Sequence, residues 1–455
     1  MSKRFILPIV VFLMVMPALS QENYQQWQSY KTIKINTTSF GANVGNTVVK
    51  FPTLIKLGVA DSSVFATAKS GGADVRFAKT DGTQLPYQID SWDTTVRSAA
   101  IWVLLDTVKG NDTTLFRMYW GNSTASDNSN SSAVFDSANG FAGVYHLNDY
   151  ADATPNLRNG SSDGTADTVG VIGRCRKFNG VAGDSIMVPG LMGTPPVVTL
   201  SCWVKPTYAP PVTIGLAGGD AISIGDAVAI RVDSLYAMAG FYYTGSGWNF
   251  DTSLAAPGLF GAGWTYLTFV CDPGSSNIEN FINGDLSGTQ SYSPSIVYAL
   301  GSSTYIGHHG NGQAAYNFGG LIDEARIENV VRSLDWIRLC FATQAIGQTT
   351  VTLGPTIPTS AVLFTPTHFR NLAGFNVIIR GNTTLFRLPA DVDHPKVSIV
   401  DLSGRTLMIK NAERGVQEIS WKGNLPVGAY IVHFSAVDSR SGEPIVIEKK
   451  IVLNQ

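Results

Sequence analysis

Apolar and polar residues alternate along most of the chain, which is the pattern of strands buried on one face. The run from Thr114 to Trp120 shows it clearly, because Phe116, Met118 and Trp120 would share one face of a strand. Short runs of this kind recur, separated by glycine, proline, asparagine and aspartate. The pattern predicts an all-β chain.

One segment near the end of the middle third has a helical pattern instead. Leu334, Ile337 and Phe341 lie at i, i+3 and i+7, which would place them on one apolar stripe. Ser333 is a suitable N-cap, and Asp335 in the first turn would favour the helix dipole.

Breaks in the strand pattern divide the chain into five predicted parts. They are a signal peptide (1–20), a β-sandwich (22–137), a jelly roll (138–350), a proline-punctuated linker (351–367) and a small β-sandwich (368–455).

Composition fits this class of protein and excludes two others. Of the 455 residues 44% are apolar and only 15% charged, whereas a disordered chain is poor in apolar residues and rich in charge. The net charge of −2 offers no basic surface for nucleic acid.

The N-terminus resembles a secretory signal. Lys3 and Arg4 precede an apolar run from Phe5 to Met16, and Ala18-Leu19-Ser20 offers a cleavage site before Gln21. A membrane anchor is the alternative, but the run is shorter than the roughly 20 residues that a span needs. No later segment is apolar enough to span, so we expect a secreted or surface-exposed protein.

Four cysteines, all in the central segment, are candidates for disulfides. They are Cys175, Cys202, Cys271 and Cys340. An exported protein permits disulfides, and three pairings are open. The spacings match no zinc signature, and the alternative is that Cys202 and Cys271 are small buried apolar residues.

Three motifs characterise the first segment: GADVRF from Gly72, LPYQIDSW from Leu85 and LFRMYWGN from Leu115. With them the segment resembles a bacterial surface domain of unknown function that often precedes laminin-G-like modules. The resemblance implies a β-sandwich without a known ligand.

The central segment carries the motifs GVYHLN from Gly143, VTLSCWVKP from Val198 and FGGLIDEARI from Phe318. With these motifs it resembles laminin-G-like, concanavalin-A-like jelly rolls. The resemblance implies that the first and last strands pair, which would put Tyr145 and Ile322 in neighbouring strands. It is informative for fold and not for function, because this fold carries many activities.

The last segment carries the motifs VSIVDLSGRTL from Val397 and LPVGAYIV from Leu425. With these motifs it resembles the C-terminal sorting domains of type IX secretion cargo. The resemblance implies a diderm bacterium and a secretion machinery that acts as a partner of this domain.

The paired carboxylates of related glycosidases are absent from the sequence. Their Glu-x-Asp-x-x-Glu pattern does not occur, and Asp323, Glu324 and Glu328 form the nearest acidic group. Adjacent Asp323 and Glu324 would point to opposite faces of a strand, with a salt bridge to Arg326 as their role. We therefore predict that the protein is not an enzyme.

Two kinds of ligand-binding residue stand out in the central segment. Aromatic rings stack on sugars, and a loop rich in His and Asn could bind a ligand or metal. The candidates are Tyr242, Tyr243, Trp248, His308, His309 and Asn311.

Calcium is a further candidate partner, because oxygen ligands cluster at predicted strand ends. The candidate ligands are Asn148, Asp149, Asp184 and Asp272, and turn formation is the alternative role for each.

Together these features predict an exported, non-catalytic surface protein that binds a polysaccharide or cell-surface glycan, or acts as an adhesin, through its central jelly roll. One alternative is a structural spacer or protein-binding adhesin. The other, which the missing carboxylates disfavour, is a glycoside-active enzyme.

Overall fold

The computed structural model forms two compact units, residues 1–359 and 360–455. It describes residues 22–180, 184–208, 218–233, 236–254, 258–313, 316–359, 375–380, 382–401, 405–423, 425–426, 428–440, 442 and 444–453. The chain is almost entirely β, as predicted. The signal peptide and residues 360–367 of the predicted linker lie outside the described residues. Within them, no helix has the length and apolar character needed to cross a membrane.

The N-terminal lobe of the first unit is a sandwich of two antiparallel sheets. Its elements are β1 (Ser29–Asn36), β2 (Val48–Leu57), α1 (Ser62–Thr67), β3 (Arg76–Lys79), β4 (Gln84–Leu85), β5 (Tyr87–Asp93), β6 (Ser98–Val108), β7 (Thr113–Trp120) and α2 (Ser131–Val134). One sheet contains β1, β7, β3 and β4, and the other has the order β2-β6-β5. Phe116, Met118 and Trp120 are all buried, as their alternation predicts.

The central jelly roll consists of two larger sheets and one helix. Its elements are β8 (Phe141–Tyr145), β9 (Ser161–Asp163), β10 (Ala166–Val169), β11 (Arg174–Asn179), β12 (Ser185–Pro189), β13 (Val198–Tyr208), β14 (Gly218–Ile224), β15 (Val228–Asp233), β16 (Met238–Tyr243), β17 (Trp248–Ser253), β18 (Thr265–Asp272), β19 (Asn277–Ile282), β20 (Asp285–Gln290), β21 (Ser303–Ile306), β22 (Gly319–Glu328) and α3 (Leu334–Gln344).

The jelly roll contains two large sheets that pack face to face. The eight-stranded sheet has the order β10-β11-β22-β13-β18-β19-β20, with β8 also paired to β22. The predicted pairing of first and last strands is therefore present, with Tyr145 opposite Ala325. The seven-stranded sheet has the order β17-β16-β15-β14-β21-β12-β9. Val228, Ile230 and Tyr242 are among the residues buried between the two sheets.

After the jelly roll the chain returns to the N-terminal lobe. Two short strands, β23 (Val351–Leu353) and β24 (Ile357–Pro358), both pair with β1. Residues 351–359, which the sequence assigned to a linker, are thus paired parts of the first unit. The prolines of this stretch suggested a linker. Instead, β23 and β24 extend the sheet beside β1, and Val351 is buried.

A β-bulge in β22 changes the prediction for its acidic pair. Glu324 has a positive φ of 51°, and the register against β13 shifts beside it. Ile322 and Ala325 both face the core between the sheets, so Asp323 and Glu324 lie on the same opposite side. The expectation of opposite faces was wrong because a bulge inserts one residue into the alternation. The predicted salt bridge is present, with Arg326 Nη2 3.0 Å from Glu324 Oε2.

Helix α3 forms as predicted, but with a different buried face. Ser333 caps it by accepting a hydrogen bond from Trp336 N. The buried apolar residues are Trp336, Ile337, Leu339 and Cys340, whereas Leu334 is 38% exposed. Trp336 contacts Phe51 of β2 edge-on at 5.1 Å. The helix therefore turns its buried face towards the N-terminal lobe, and one hydrophobic core includes residues of both lobes.

The four cysteines are free thiols, so the candidate disulfides are not present. Cys202 lies opposite Leu267 and Cys271 opposite Val198. That offset of four residues separates the two by about 13 Å, and a disulfide needs Cα atoms within about 7 Å. Cys340 lies in the core on the other side of the sheet. Burial raises the pKa of the Cys175 thiol to about 12.

The second unit is a small β-sandwich with its own core. Its strands are β25 (Asn376–Arg380), β26 (Thr383–Arg387), β27 (Val392–Asp401), β28 (Thr406–Asn411), β29 (Glu418–Lys422), β30 (Gly428–Asp438) and β31 (Pro444–Leu453). They form the sheets β25-β26-β29 and β28-β27-β30-β31. Phe386, Val397, Val432 and Phe434 are fully buried between them.

The shared core predicts that the N-terminal lobe and the jelly roll unfold together. Trp336→Ala should destabilise the first unit by about 3–5 kcal/mol, because it removes a large side chain from that core. Hydrogen exchange of the full chain should show amides of β2 and β13 losing protection together. Leu334→Ala on the same helix is the control and should have a small effect. Loss of protection in only one lobe would contradict a shared core.

Candidate functional site

The outer face of the seven-stranded sheet, turned away from the core, combines several of the predicted residues. Along β15, Val228, Ile230 and Val232 point into the core, so Ala229 and Arg231 point outward. The same alternation places Phe241 and Tyr243 of β16 on the outer face.

Two cross-strand aromatic pairs form a strip along β16 and β17. Tyr243 lies opposite Trp248, and Phe241 lies opposite Phe250. The Tyr243 and Trp248 rings are 5.1 Å apart. Trp248 is 47% exposed and Phe250 44% exposed, although both are large apolar side chains. We call these four residues the aromatic strip.

Tyr242, the third predicted aromatic candidate, does not belong to the strip. It alternates with Phe241 and Tyr243, so its ring is buried in the core, and its hydroxyl accepts a hydrogen bond from Asn249 Nδ2 at 3.0 Å. Its ring is therefore closed to a ligand. Adjacent residues of a regular strand point to opposite faces, so Tyr242 and Tyr243 do not both lie on the outer face.

Beside the aromatic strip, four charged side chains form a buried charge network. Arg231 Nε is 2.6 Å from Asp220 Oδ1. His309 Nδ1 is 2.7 Å from Asp220 Oδ2, and His309 Nε2 is 3.4 Å from Asp226 Oδ2. The Arg231 guanidinium also lies 3.7 Å from the centre of the Tyr316 ring and 4.8 Å from that of Phe241. All four charged residues are buried.

The pKa shifts in the charge network favour its ionised form. Burial tends to lower the pKa of His309, but the hydrogen bonds and charges of Asp220 and Asp226 outweigh it and raise the pKa to about 9. Burial tends to raise the pKa of Asp220, but the charge of Arg231 and the His309 hydrogen bond hold it below its ordinary value. Two cations thus balance two anions at neutral pH.

The predicted histidines therefore lie inside the molecule. His309 belongs to the charge network, and His308 is buried with its ring 5.3 Å from that of Tyr305. The loop that carries His308 and His309 lies against the sheet, so both side chains are buried. Gly310 allows this close approach, because a Cβ there would be 2.0 Å from Asp226 N.

Asp226 connects the aromatic strip to a neighbouring cavity. Its carbonyl accepts a hydrogen bond from Trp248 Nε1 at 3.4 Å, and its Oδ2 accepts one from Asn311 Nδ2 at 3.3 Å. Asn311 lines a cavity of about 410 Å³ together with Leu300, Ser302, Ser303, Tyr305 and Gly310. Trp248 and Asn311, which come from two different groups of candidates, thus both bind Asp226.

The three candidate calcium-binding aspartates accept local hydrogen bonds, and Asn148 donates one to the N-terminal lobe. Asp149 accepts from Ala151 N, Asp184 from Asn179 N and Asp272 from Ser275 N, while Asn148 donates to Asp90 Oδ1. Among the described residues, the three aspartates are not part of any group whose ligand atoms lie within 4.8 Å of one another. Calcium binding stays a prediction.

A second buried polar cluster, which the sequence did not indicate, joins the two lobes. His146 donates from Nδ1 to Glu324 Oε1 at 2.8 Å and from Nε2 to Gln88 Oε1 at 3.1 Å. Its ring stacks on Trp102. Although burial acts to lower its pKa, the charges of Glu324 and Asp90 raise it to about 9. Burial raises the pKa of Asp90 to about 6.

These two clusters are the groups of potential metal ligands found among the described residues, Asp90–His146–Glu324 and Asp220–Asp226–His309. In each, both ring nitrogens of the histidine face an oxygen acceptor and its pKa is raised. Each cluster is thus arranged as a buried ion-pair network.

Two family models match the chain. Residues 71–150 match the domain of unknown function DUF2341. Residues 181–338 match the concanavalin A-like lectin/glucanases superfamily. Both resemblances predicted from the sequence are thereby confirmed. The sorting-domain resemblance of the second unit stays a prediction, and no curated protein matches the chain significantly.

Three of the solved structures with similarity to the chain are domains of larger proteins. Domain 4 of AbnA, a GH43 arabinanase of Geobacillus stearothermophilus solved with arabinotriose, is 21% identical over 44% of this chain and 97% of its own, with a TM-score of 0.36. The CBM40 of the Ruminococcus gnavus IT-sialidase, bound to α2,3 sialyllactose, is 16% identical over 37% of this chain and 96% of its own, with a TM-score of 0.29. The binding domain of Paraclostridial Mosquitocidal Protein 1 is 12% identical over 66% of this chain and 77% of its own, with a TM-score of 0.38. TM-scores this low support no conclusion about ligand.

The raised pKa of His309 predicts a pH dependence of stability. A group whose pKa rises from 6.5 to about 9 on folding stabilises the native state fully below pH 6.5, and this contribution is lost as the pH rises through 9. His309→Gln should therefore flatten the decline in the free energy of unfolding between pH 6.5 and 9, by at most about 1.4 kcal/mol per pH unit.

Urea unfolding at a series of pH values measures this slope. His394→Gln, an exposed histidine of the second unit, is the control and should leave the profile unchanged. His146 should keep its own contribution in both variants. Parallel profiles for wild type and His309→Gln would show that His309 is not protonated in the native state.

Proposed function

We propose that the chain is an exported, non-catalytic surface protein that binds glycans through the aromatic strip and the adjoining cavity. The observation that carries this proposal is the exposure of Trp248 and Phe250 on one sheet face, each paired with a second aromatic residue. Soluble proteins rarely leave such rings exposed side by side without a binding role.

The geometry of the strip suits a sugar ligand. Trp248 and Phe250 lie two residues apart on one strand, about 7 Å along it, so their rings can contact successive units of a chain. Hydrogen bonds hold the Trp248 indole to Asp226 O and the Tyr243 hydroxyl to Gly245 O. A platform held in place in this way loses little conformational entropy when a sugar stacks on it.

The adjoining cavity supplies polar groups. Ser302, Ser303, Tyr305 and Asn311 offer hydroxyl and amide groups, and none of the six residues named above as its lining is a carboxylate. Its volume lies within the range of small-molecule sites. Stacking surface beside hydroxyl and amide groups is the combination that recognises a carbohydrate.

The charge network speaks against catalysis at this site. Glycoside hydrolysis needs two carboxyl groups that flank an accessible bond. Asp220 and Asp226 are buried and bound to Arg231 and His309. This supports a binding role over the alternative of a glycoside-active enzyme.

Replacement of Trp248 tests the binding proposal. Trp248→Ala should reduce retention on immobilised polysaccharides severalfold or more, because one stacking surface is lost. The control is Phe40→Ala, which removes an aromatic side chain that is 92% exposed in the N-terminal lobe. Unchanged retention of Trp248→Ala would exclude the named site, and a wild type that no glycan retains would favour a spacer or protein-binding adhesin.

We also propose that the second unit directs export to the outer surface through a type IX machinery. The support is its resemblance to sorting domains together with its independent core, since a folded domain presents a fixed surface to a receptor. Deletion of residues 368–455 in a host with that machinery should cause the protein to accumulate in the periplasm. Limited proteolysis of the truncated protein would check that residues 22–359 remain folded. Undiminished surface display would refute the role.

A further inference from the structure

All charged residues in the sequence segment that carries the aromatic strip are buried. Between Pro206 and Cys271, which spans β14 to β17 and their loops, the sequence holds five charged residues. They are Asp220, Asp226, Arg231, Asp233 and Asp251, and each is at most 6% exposed. The described part of this region therefore presents no charged side chain to solvent, and the loop residues outside the description are uncharged by sequence.

The segments that line the cavity are also uncharged. Residues 286–322, which include the cavity wall and β21, contain no Asp, Glu, Lys or Arg. Both histidines of this stretch, His308 and His309, are buried. In a typical soluble protein about a quarter of the residues are charged. A surface of this size without a charged side chain therefore selects against ligands that need an ionic partner.

The cation nearest the strip is not available to a ligand. Arg231 is 6% exposed, is held by Asp220 at two of its nitrogens, and lies between the rings of Phe241 and Tyr316. An anionic sugar placed on the strip would lose hydration without gaining a charged partner.

We propose, on the basis of the glycan-binding function above, that the ligand is a segment of an uncharged polysaccharide. Neutral hexose or pentose polymers fit the site, and sialylated, uronic-acid or sulfated glycans do not. Stacking on Trp248 and Phe250 and hydrogen bonds to hydroxyl and amide groups provide the recognition. Because no formal charge takes part, binding is insensitive to ionic strength.

Matched neutral and acidic probes test this proposal with the full chain. Affinity electrophoresis would use arabinan, galactan, xylan and β-glucan as neutral polymers, and polygalacturonan and alginate as acidic ones, each at 50 mM and 500 mM NaCl. We expect at least one neutral polymer to retard the wild type by an amount that salt leaves unchanged within twofold. Acidic polymers should retard it no more than they retard Trp248→Ala.

A variant with an added charge provides a second, independent readout. Thr252 lies on β17 two residues beyond Phe250 and is partly exposed. Thr252→Lys would place a cation beside the strip and should create retardation by acidic polymers that disappears at 500 mM NaCl. Thr252→Gln, similar in length and uncharged, should gain no such binding.

The outcomes separate this inference from the function it rests on. Salt-sensitive binding of an acidic polymer by the wild type, lost in Trp248→Ala, would overturn the uncharged ligand and leave glycan binding intact. Failure of every polymer, neutral or acidic, would overturn both, as would a protein ligand captured through the strip. Neutral binding that is lost in Trp248→Ala and unaffected by salt would support both.

Discussion

The ion pair between Arg231 and Asp220 determines what the outer face of the jelly roll can present. A buried charge is tolerated only when it is paired and hydrogen bonded. Asp220 is fully buried, and it binds Arg231 on one side and His309 on the other. His309 in turn reaches Asp226, so the loop that carries it is held against the sheet. The charges of this region are thereby enclosed, and the surface beside them consists of aromatic and small polar groups.

The same principle operates between the two lobes of the first unit. Glu324 is fully buried and is bound by both His146 and Arg326. The Arg326 guanidinium lies 4.4 Å from the centre of the Trp102 ring, on which His146 also stacks. Trp102 belongs to β6 of the N-terminal lobe, and Glu324 belongs to the bulge in β22. Polar pairing and aromatic packing thus fix the N-terminal lobe to the jelly roll, in addition to their shared apolar core.

Local patterns in the sequence were sufficient for the fold class and for most strands. Alternation identified β7 and the buried role of Met118, and Ser333 identified the start of α3. The side on which each residue lies was harder to predict. A bulge at Glu324 shifted the alternation, and the buried face of α3 depends on Phe51, which is distant in sequence. A strand register of this kind is set by long-range pairing and not by local composition.

The candidate site shows the same division. Trp248 and Tyr243 were predicted from residue type, and they form a cross-strand pair on the outer face. Asp220, Asp226 and Arg231 were not predicted, because the sequence does not show which charges pair until the topology brings β14, β15 and the His309 loop together. Their occurrence within an otherwise uncharged stretch is a sequence signal for a buried ion pair, since an unpaired charge could not be accommodated there.

A crystal structure of the protein with a neutral oligosaccharide taken from a polymer that retains it would test the central claim most directly. We predict electron density for a sugar ring stacked on Trp248, with a second unit over Phe250 and hydroxyl groups directed towards Ser303 or Asn311. Arg231 should remain bound to Asp220, without contact to the sugar. Density for the sugar elsewhere on the molecule, with the aromatic strip unoccupied, would contradict the account.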